Sequence, residues 1–147
     1  MDVDRVRLAY LRMMATLHHN AHRAYYPDLP FTEGVELTLI TNAIYLAQRD
    51  GEPFNIQQLV EHLGMPRTTM RRRLEYLETR GFVLITERRV GRRVEHLLEI
   101  DVSILTRPER LSNVGVAAEV IVATAKTILG ASQVDDTTLT DQPLERQ

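Results

Sequence analysis

Near residue 81 the apolar pattern of this chain changes period from 3.6 to 2, and that change limits the folds open to it. Upstream lie two short amphipathic segments. The first, Ile56 to about Leu63, gathers Ile56, Leu59, Val60 and Leu63 on one face. Asn55 can cap it while Gln58 reaches back as the partner of a capping box. Gly64 suits the left-handed residue that closes a helix, and Pro66 suits the first turn of the next, where its missing N–H is not needed. The second segment, 66–80, places Met70, Leu74 and Leu77 in a narrow arc and stops at Arg80-Gly81. Downstream, Phe82 to Thr86 is a β-favouring run, and Val94, His96, Leu98 and Ile100 alternate with Arg93, Glu95, Leu97 and Glu99. Between these runs sits Arg88-Arg89-Val90-Gly91-Arg92-Arg93, where Gly91 can take the positive φ of a hairpin loop.

Two helices joined by a tight glycine turn form a helix-turn-helix, and a hairpin directly after them is the winged variant. The expected fold class is mainly α with a small β-hairpin wing, flanked by N- and C-terminal helices that dimerise. Asp2 to about Tyr26 reads as the first helix, ended by Tyr26-Pro27-Asp28-Leu29-Pro30. A second helix is predicted after Thr32 as N-cap, with Leu37, Ile40, Ile44 and Ala47 as its buried stripe. Glu52-Pro53-Phe54 has room for one small strand. Pro108 opens a last helix to about Leu129, in which Leu111, Val114, Ala118, Ile121, Ala125 and Ile128 make a 3-4-3-4-3 seam. Other faces of that helix are apolar too, so it needs burial on more than one side, and a second copy of the chain is the natural cover. The predicted organisation is one domain over 1–130, made of an N-terminal helix in 1–30, a winged-helix core in 32–101 and a dimerisation helix in 107–130. Residues 131–147, polar and aperiodic, read as a flexible tail.

The net charge of −2 hides a strong asymmetry. Residues 64–93 hold nine arginines against three glutamates, a local +6, and the remainder carries −8. A basic surface set against an acidic remainder points to a polyanionic partner, double-stranded DNA above all. On the 66–80 helix, Thr68, Thr69 and Arg72 lie opposite the core arc, with Arg71 and Arg73 to either side. Arg72 is the first candidate for base readout, since an arginine fork fits the guanine edge, with Thr68 beside it. Arg67 and Thr69 suit phosphate, and Arg71 either contacts DNA or pairs with Glu75 four residues on. Arg73 either contacts DNA or lays its stem along the core edge. The wing arginines Arg88, Arg89, Arg92 and Arg93 are expected on the backbone or in a narrow minor groove, their alternative being to keep an edge strand soluble.

From Phe54 to Val83 the chain resembles bacterial winged-helix transcriptional regulators, and the MarR-like layout in particular. Thr69, Arg72, Leu74, Leu77 and Arg80-Gly81 fall on that family's recurrent places. The resemblance implies a homodimeric, sequence-specific regulator with a dimerisation layer of N- and C-terminal helices. Two departures stand out: the wing has Gly91-Arg92-Arg93 rather than an Asp-x-Arg followed by Leu-Thr, and only one helix is clear after it. The competing reading is a winged helix serving protein interaction or assembly, which would not require the basic face.

Other chemistry is sparse. The absence of cysteine excludes disulfides and thiolate sites and fits a reducing cytoplasm. His18 and His22 share a helix face, and Asp28 is the nearest donor from a following loop, but nothing within the turn completes a metal site. No metal or cofactor is expected. Tyr25, Tyr26 and Phe31 either pack in the core or line a small-molecule pocket, so an effector stays open. No phosphate-binding loop or nucleophile elbow occurs, which argues against an enzyme. The apolar stretch 114–130 contains Glu119 and Lys126, each costing about 2.5–3.5 kcal/mol at a bilayer centre, so a membrane span is not expected.

Overall fold

The computed structural model describes residues 1–137. Helix α1, Val3–Tyr25, is capped by the Asp2 carboxylate, which accepts from the Arg5 backbone N–H. Helix α2 spans Phe31–Arg49 and starts one residue before Thr32, with Pro30 at the N-cap and no side-chain cap, so Thr32 lies inside the first turn rather than capping it. Proline fixes the entry φ here, which makes the hydroxyl cap dispensable. Helix α3, Ile56–Leu63, carries the capping box of Asn55 and Gln58 in full, and Gly64 closes it at φ 62°. Helix α4, Arg67–Thr79, follows with Pro66 as its N-cap rather than its first residue.

Strands β1, Val83–Val90, and β2, Arg93–Ile100, form one antiparallel pair in register Val83↔Ile100 through Val90↔Arg93. The turn leaves Gly91 at φ 63° with Arg92 at negative φ, the combination a type II′ hairpin uses. Glu52-Pro53-Phe54 is not a strand; the Leu98 N–H donates to the Phe54 carbonyl at 2.8 Å, a single bond that ties the loop to the wing's base. Only the base of the hairpin is buried, through Val83, Leu97, Leu98 and Ile100, whereas Val94 and His96 stand exposed. The alternating pattern therefore marks the strand correctly but overstates how far its apolar face is covered.

The core lies between α2, α3, α4 and the wing base: Leu37, Ile40, Ile44, Leu59, Met70, Leu77 and Leu98 are fully buried there. Each such side chain stabilises the fold by about 1.5–3 kcal/mol. The stripe expected on α2 and the arc on α4 are the residues that build it.

After the wing comes a single-turn helix, α5, Val102–Leu105, capped by Asp101, which the sequence reading lacks. Four residues are too few to show a period. The last helix, α6, runs Pro108–Thr137, so the tail expected from residue 131 is helical as far as 137. Ala131 is buried and Ser132 lies against Met1, contacts that reward continuing the helix despite the polar sequence. Residues 138–147 of the expected tail lie outside the described residues. α6 packs antiparallel on α1, since Ser132 meets Met1 at one end and Arg110 meets Tyr25 at the other. The Arg110 guanidinium sits 5.0 Å above the Tyr25 ring and 4.7 Å above that of Phe82, pinning the start of α6 to the core.

The α1–α2 corner is held by histidine. The His22 imidazole Nε2 lies 2.6 Å from the Leu29 carbonyl and donates to it, while His19 stacks on Phe31 at 4.3 Å. A methyl added at Gly34 would come within 2.5 Å of the His22 ring, so glycine there is what lets α2 approach α1.

Candidate nucleic-acid interface

Helix α4 is fastened by Met70, Leu74 and Leu77, and this anchoring fixes what its far side presents. Arg67, Thr68, Arg71 and Arg72 are exposed, while Thr69 is half-buried and so less available than its expected place opposite the core implied. Neither Arg71 nor Arg72 has an ion pair among the described residues; the pairing of Arg71 with Glu75 that the spacing allows is not made. Arg67 donates to the Gln57 side chain at 3.1 Å, holding it beside the start of α3. A groove of about 460 Å³ runs from there to the wing, lined by Asn55, Ile56, Gln57, Arg67, Arg93, Val94, Glu95 and His96. The start of α4, the groove and strand β2 of the wing thus share one side of the molecule.

The wing arginines divide. Arg88 pairs across the strands with Glu95 at 2.8 Å and is already neutralised, so it is a weaker DNA candidate than its neighbours. The register puts the two residues directly opposite, a relation that depends on the turn and is hard to read from spacing. Arg89, Arg92 and Arg93 are exposed and carry no ion pair among the described residues.

Arg73 is the position the sequence reading resolves least. Its guanidinium is buried and pairs with two carboxylates of α2: Nη1 lies 2.9 Å from Glu33 Oε2, and Nη2 lies 2.7 Å from Glu36 Oε2. Burial alone would lower its pKa, but the bonds to Glu36 and Glu33 outweigh that and hold it above the ordinary arginine value. Arg73 is therefore turned toward α2 and its charge is already paired, unlike the exposed arginines of α4. The available signal was its placement three residues after Met70 and four before Leu77, an arginine at the core's edge that asks for a carboxylate.

Two further expectations can be placed. Tyr25 and Tyr26 do line a small cavity, about 130 Å³, with Thr38, Thr41, Asn42, Tyr45, Phe82, Ile100 and Leu105, but Phe31 is not part of it. Burial pushes the Tyr26 phenol up to about 12, so it stays neutral at ordinary pH. Among the described residues no group of three or more His, Cys, Asp or Glu is arranged to hold a metal ion.

The fold is that of a winged helix-turn-helix with flanking helices, the architecture of DNA-binding transcriptional regulators. Residues 44–84, from mid-α2 to the start of β1, match the family model described as the IclR helix-turn-helix domain. The match is to the IclR type and not to the MarR-like layout that the sequence resembles. The stretch Phe54–Val83 identifies a winged helix but is too general to fix the family within that class, and the MarR-like expectation is corrected accordingly. No curated protein sequence matches the chain.

Similar solved structures include Rv1404 from Mycobacterium tuberculosis, at 15% identity and TM-score 0.44, covering 100% of this chain and 86% of that one. The heme sensor PefR from Streptococcus agalactiae in complex with heme is similar at 16% identity and TM-score 0.45, over 99% of this chain and 97% of that one.

Proposed function

We propose that the chain is a homodimeric transcriptional regulator of the cytoplasm that binds double-stranded DNA in a sequence-specific way. Helix α4 enters the major groove and the wing lies on the backbone or in the minor groove. The observation that carries this reading is the set of exposed arginines without carboxylate partners among the described residues: Arg71 and Arg72 on α4, and Arg89, Arg92 and Arg93 on the wing. A chain of net charge −2 has ample acid to neutralise them, yet among the described residues Glu33 and Glu36 pair with Arg73, and Glu95 with Arg88. Within that division Arg72 and Thr68 read bases, while Arg67, Arg71 and the unpaired wing arginines Arg89, Arg92 and Arg93 hold phosphates.

The dimer reading rests on α6. Leu111, Val114 and Ile121 are each about half exposed at 53%, 56% and 48%, and Ala118 and Ala125 are exposed beside them; Ile128 is half-buried. Val3, Leu8 and Leu11 of α1 and Val116, Val122 and Leu129 of α6 are exposed as well, and a stable interface draws about 800 Å² from each partner, so apolar surface of this kind is what a dimer would use. Arg110–Ser132 is long and apolar enough by length and composition to cross a membrane, but Glu119 and Lys126 within it and its packing on α1 favour a protein cover.

The test is binding to random-sequence duplex DNA across a salt series. Phosphate contact by these arginines makes log affinity fall linearly with log salt, by about 0.9 per phosphate neutralised. Four or five contacts give a slope near −4. A flat dependence, or no binding at low salt, contradicts the reading.

A further inference from the structure

Arg73 belongs to the recognition helix by sequence but to α2 by its bonds. Its Nε and Nη2 both reach Glu36 Oε2, at 2.8 and 2.7 Å, and Nη1 reaches Glu33 Oε2 at 2.9 Å. Glu33 and Glu36 stand one turn apart on the same face of α2, so one planar fork spans both. The Arg73 side chain is 10% exposed, and the two carboxylates are 38% and 40% exposed. The clamp is therefore closed on the arginine side and wet on the acid side.

This contact has a directional consequence. Met70, Leu74 and Leu77 set the depth of α4 and which side of it faces the core, but the hydrophobic effect is non-directional and resists a finer rotation of about 20° only weakly. A fork-to-carboxylate pair is directional. A rotation of about 20° moves a side-chain tip about 8 Å from the axis by roughly 3 Å, enough to break a bidentate base contact at the adjacent Arg72. The acids sit in the first two turns of α2, the part braced from α1 by His22 against Gly34 and the Leu29 carbonyl. Orientation is thus passed from the α1–α2 corner to α4.

We infer that the Glu33–Arg73–Glu36 clamp is the positioning device of the recognition helix, with Arg73 setting the rotation at which Arg72 and Thr68 meet the bases while touching no DNA itself. The inference rests on the DNA reading above. It separates Arg73 from the arginines on either side, which that reading places in contact with the duplex.

The experiment compares Arg73→Met with the wild-type protein on two duplexes, one selected by the wild type from a random pool and one of random sequence. Methionine keeps the apolar stem and leaves two hydrated carboxylates rather than a buried charge. The expected result is a roughly tenfold fall in the affinity ratio between the duplexes, with the salt slope on random DNA unchanged. Arg73→Lys, which can hold one carboxylate, returns part of the ratio. Should Arg73→Met fail to fold, the double variant Glu33→Gln with Glu36→Gln takes both charges from the exposed side of the clamp while its amide oxygens can still accept, and is expected to lower the ratio in the same direction by less. A slope shallower by about 0.9 with the ratio intact makes Arg73 a phosphate contact and overturns the inference. An unchanged ratio and slope reduces it to ordinary packing and overturns it equally. A wild type without preference for any duplex defeats the DNA reading itself, and that outcome is seen before any variant is made.

Discussion

Replacing Arg72 by alanine is expected to lower the preference for a selected duplex over a random one by about 5- to 150-fold, the equivalent of 1–3 kcal/mol for one bidentate base contact. Affinity for random DNA changes much less. The reason is geometric: Met70 and Leu74 hold one side of α4 in the core, and Arg72 projects from the other with no partner among the described residues. Arg92→Ala is the matched control. It sits at the wing turn beside Gly91, where a guanidinium reaches the backbone of any sequence, so its loss weakens both duplexes alike and makes the salt slope shallower by about 0.9. Filter or fluorescence titrations at three salt concentrations separate the two behaviours. Equal losses on both duplexes from both variants would contradict the division between base and phosphate contacts.

Ile121→Asp is expected to convert a dimer into a monomer and to weaken binding to an inverted-repeat duplex by 100-fold or more. Ile121 lies mid-seam on α6 at 48% exposure, so a carboxylate there remains hydrated in the single chain and costs its fold little. Between two copies the same carboxylate would be desolvated against apolar neighbours, which costs several kcal/mol. Loss of the second subunit then removes the linked second half-site, and linkage of two binding modules is worth about 10²–10⁴ in affinity. Sedimentation velocity reads the oligomeric state directly, and circular dichroism confirms that helix content is kept. A variant that sediments as the wild type does would place the interface elsewhere.

The elements whose local and global demands agree were legible in the chain. The α3 capping box, the left-handed Gly64 and the buried arc of α4 each follow from residues within a few positions of one another. So does the wing turn at Gly91, where a positive φ is required and only glycine takes it without strain. Features that depend on distant partners were not legible. Nothing local to Arg73 names Glu33 and Glu36, which lie 40 and 37 residues away. Arg88 and Glu95 meet only once the register is set. The extension of α6 past residue 130 depends on α1 lying alongside, where Ala131 finds burial that its own polar neighbours do not suggest. On α4 the exposure of Thr68, Arg71 and Arg72 was legible because a helix in the core leaves one opposite side, whereas Thr69, expected on that side, is half-buried. The wing was read as four equivalent arginines because charge counting is blind to pairing.

One cationic side of the molecule, built from α4 and the wing, is expected to seat against duplex DNA. Amide chemical-shift mapping of the isotopically labelled full chain, titrated with a duplex selected by the protein, tests it most directly. Shifts are expected to concentrate at 67–72 and 88–93, with the amides around Glu33 and Glu36 little affected. Shifts centred on the outer face of α6, or none at saturating duplex, would contradict it.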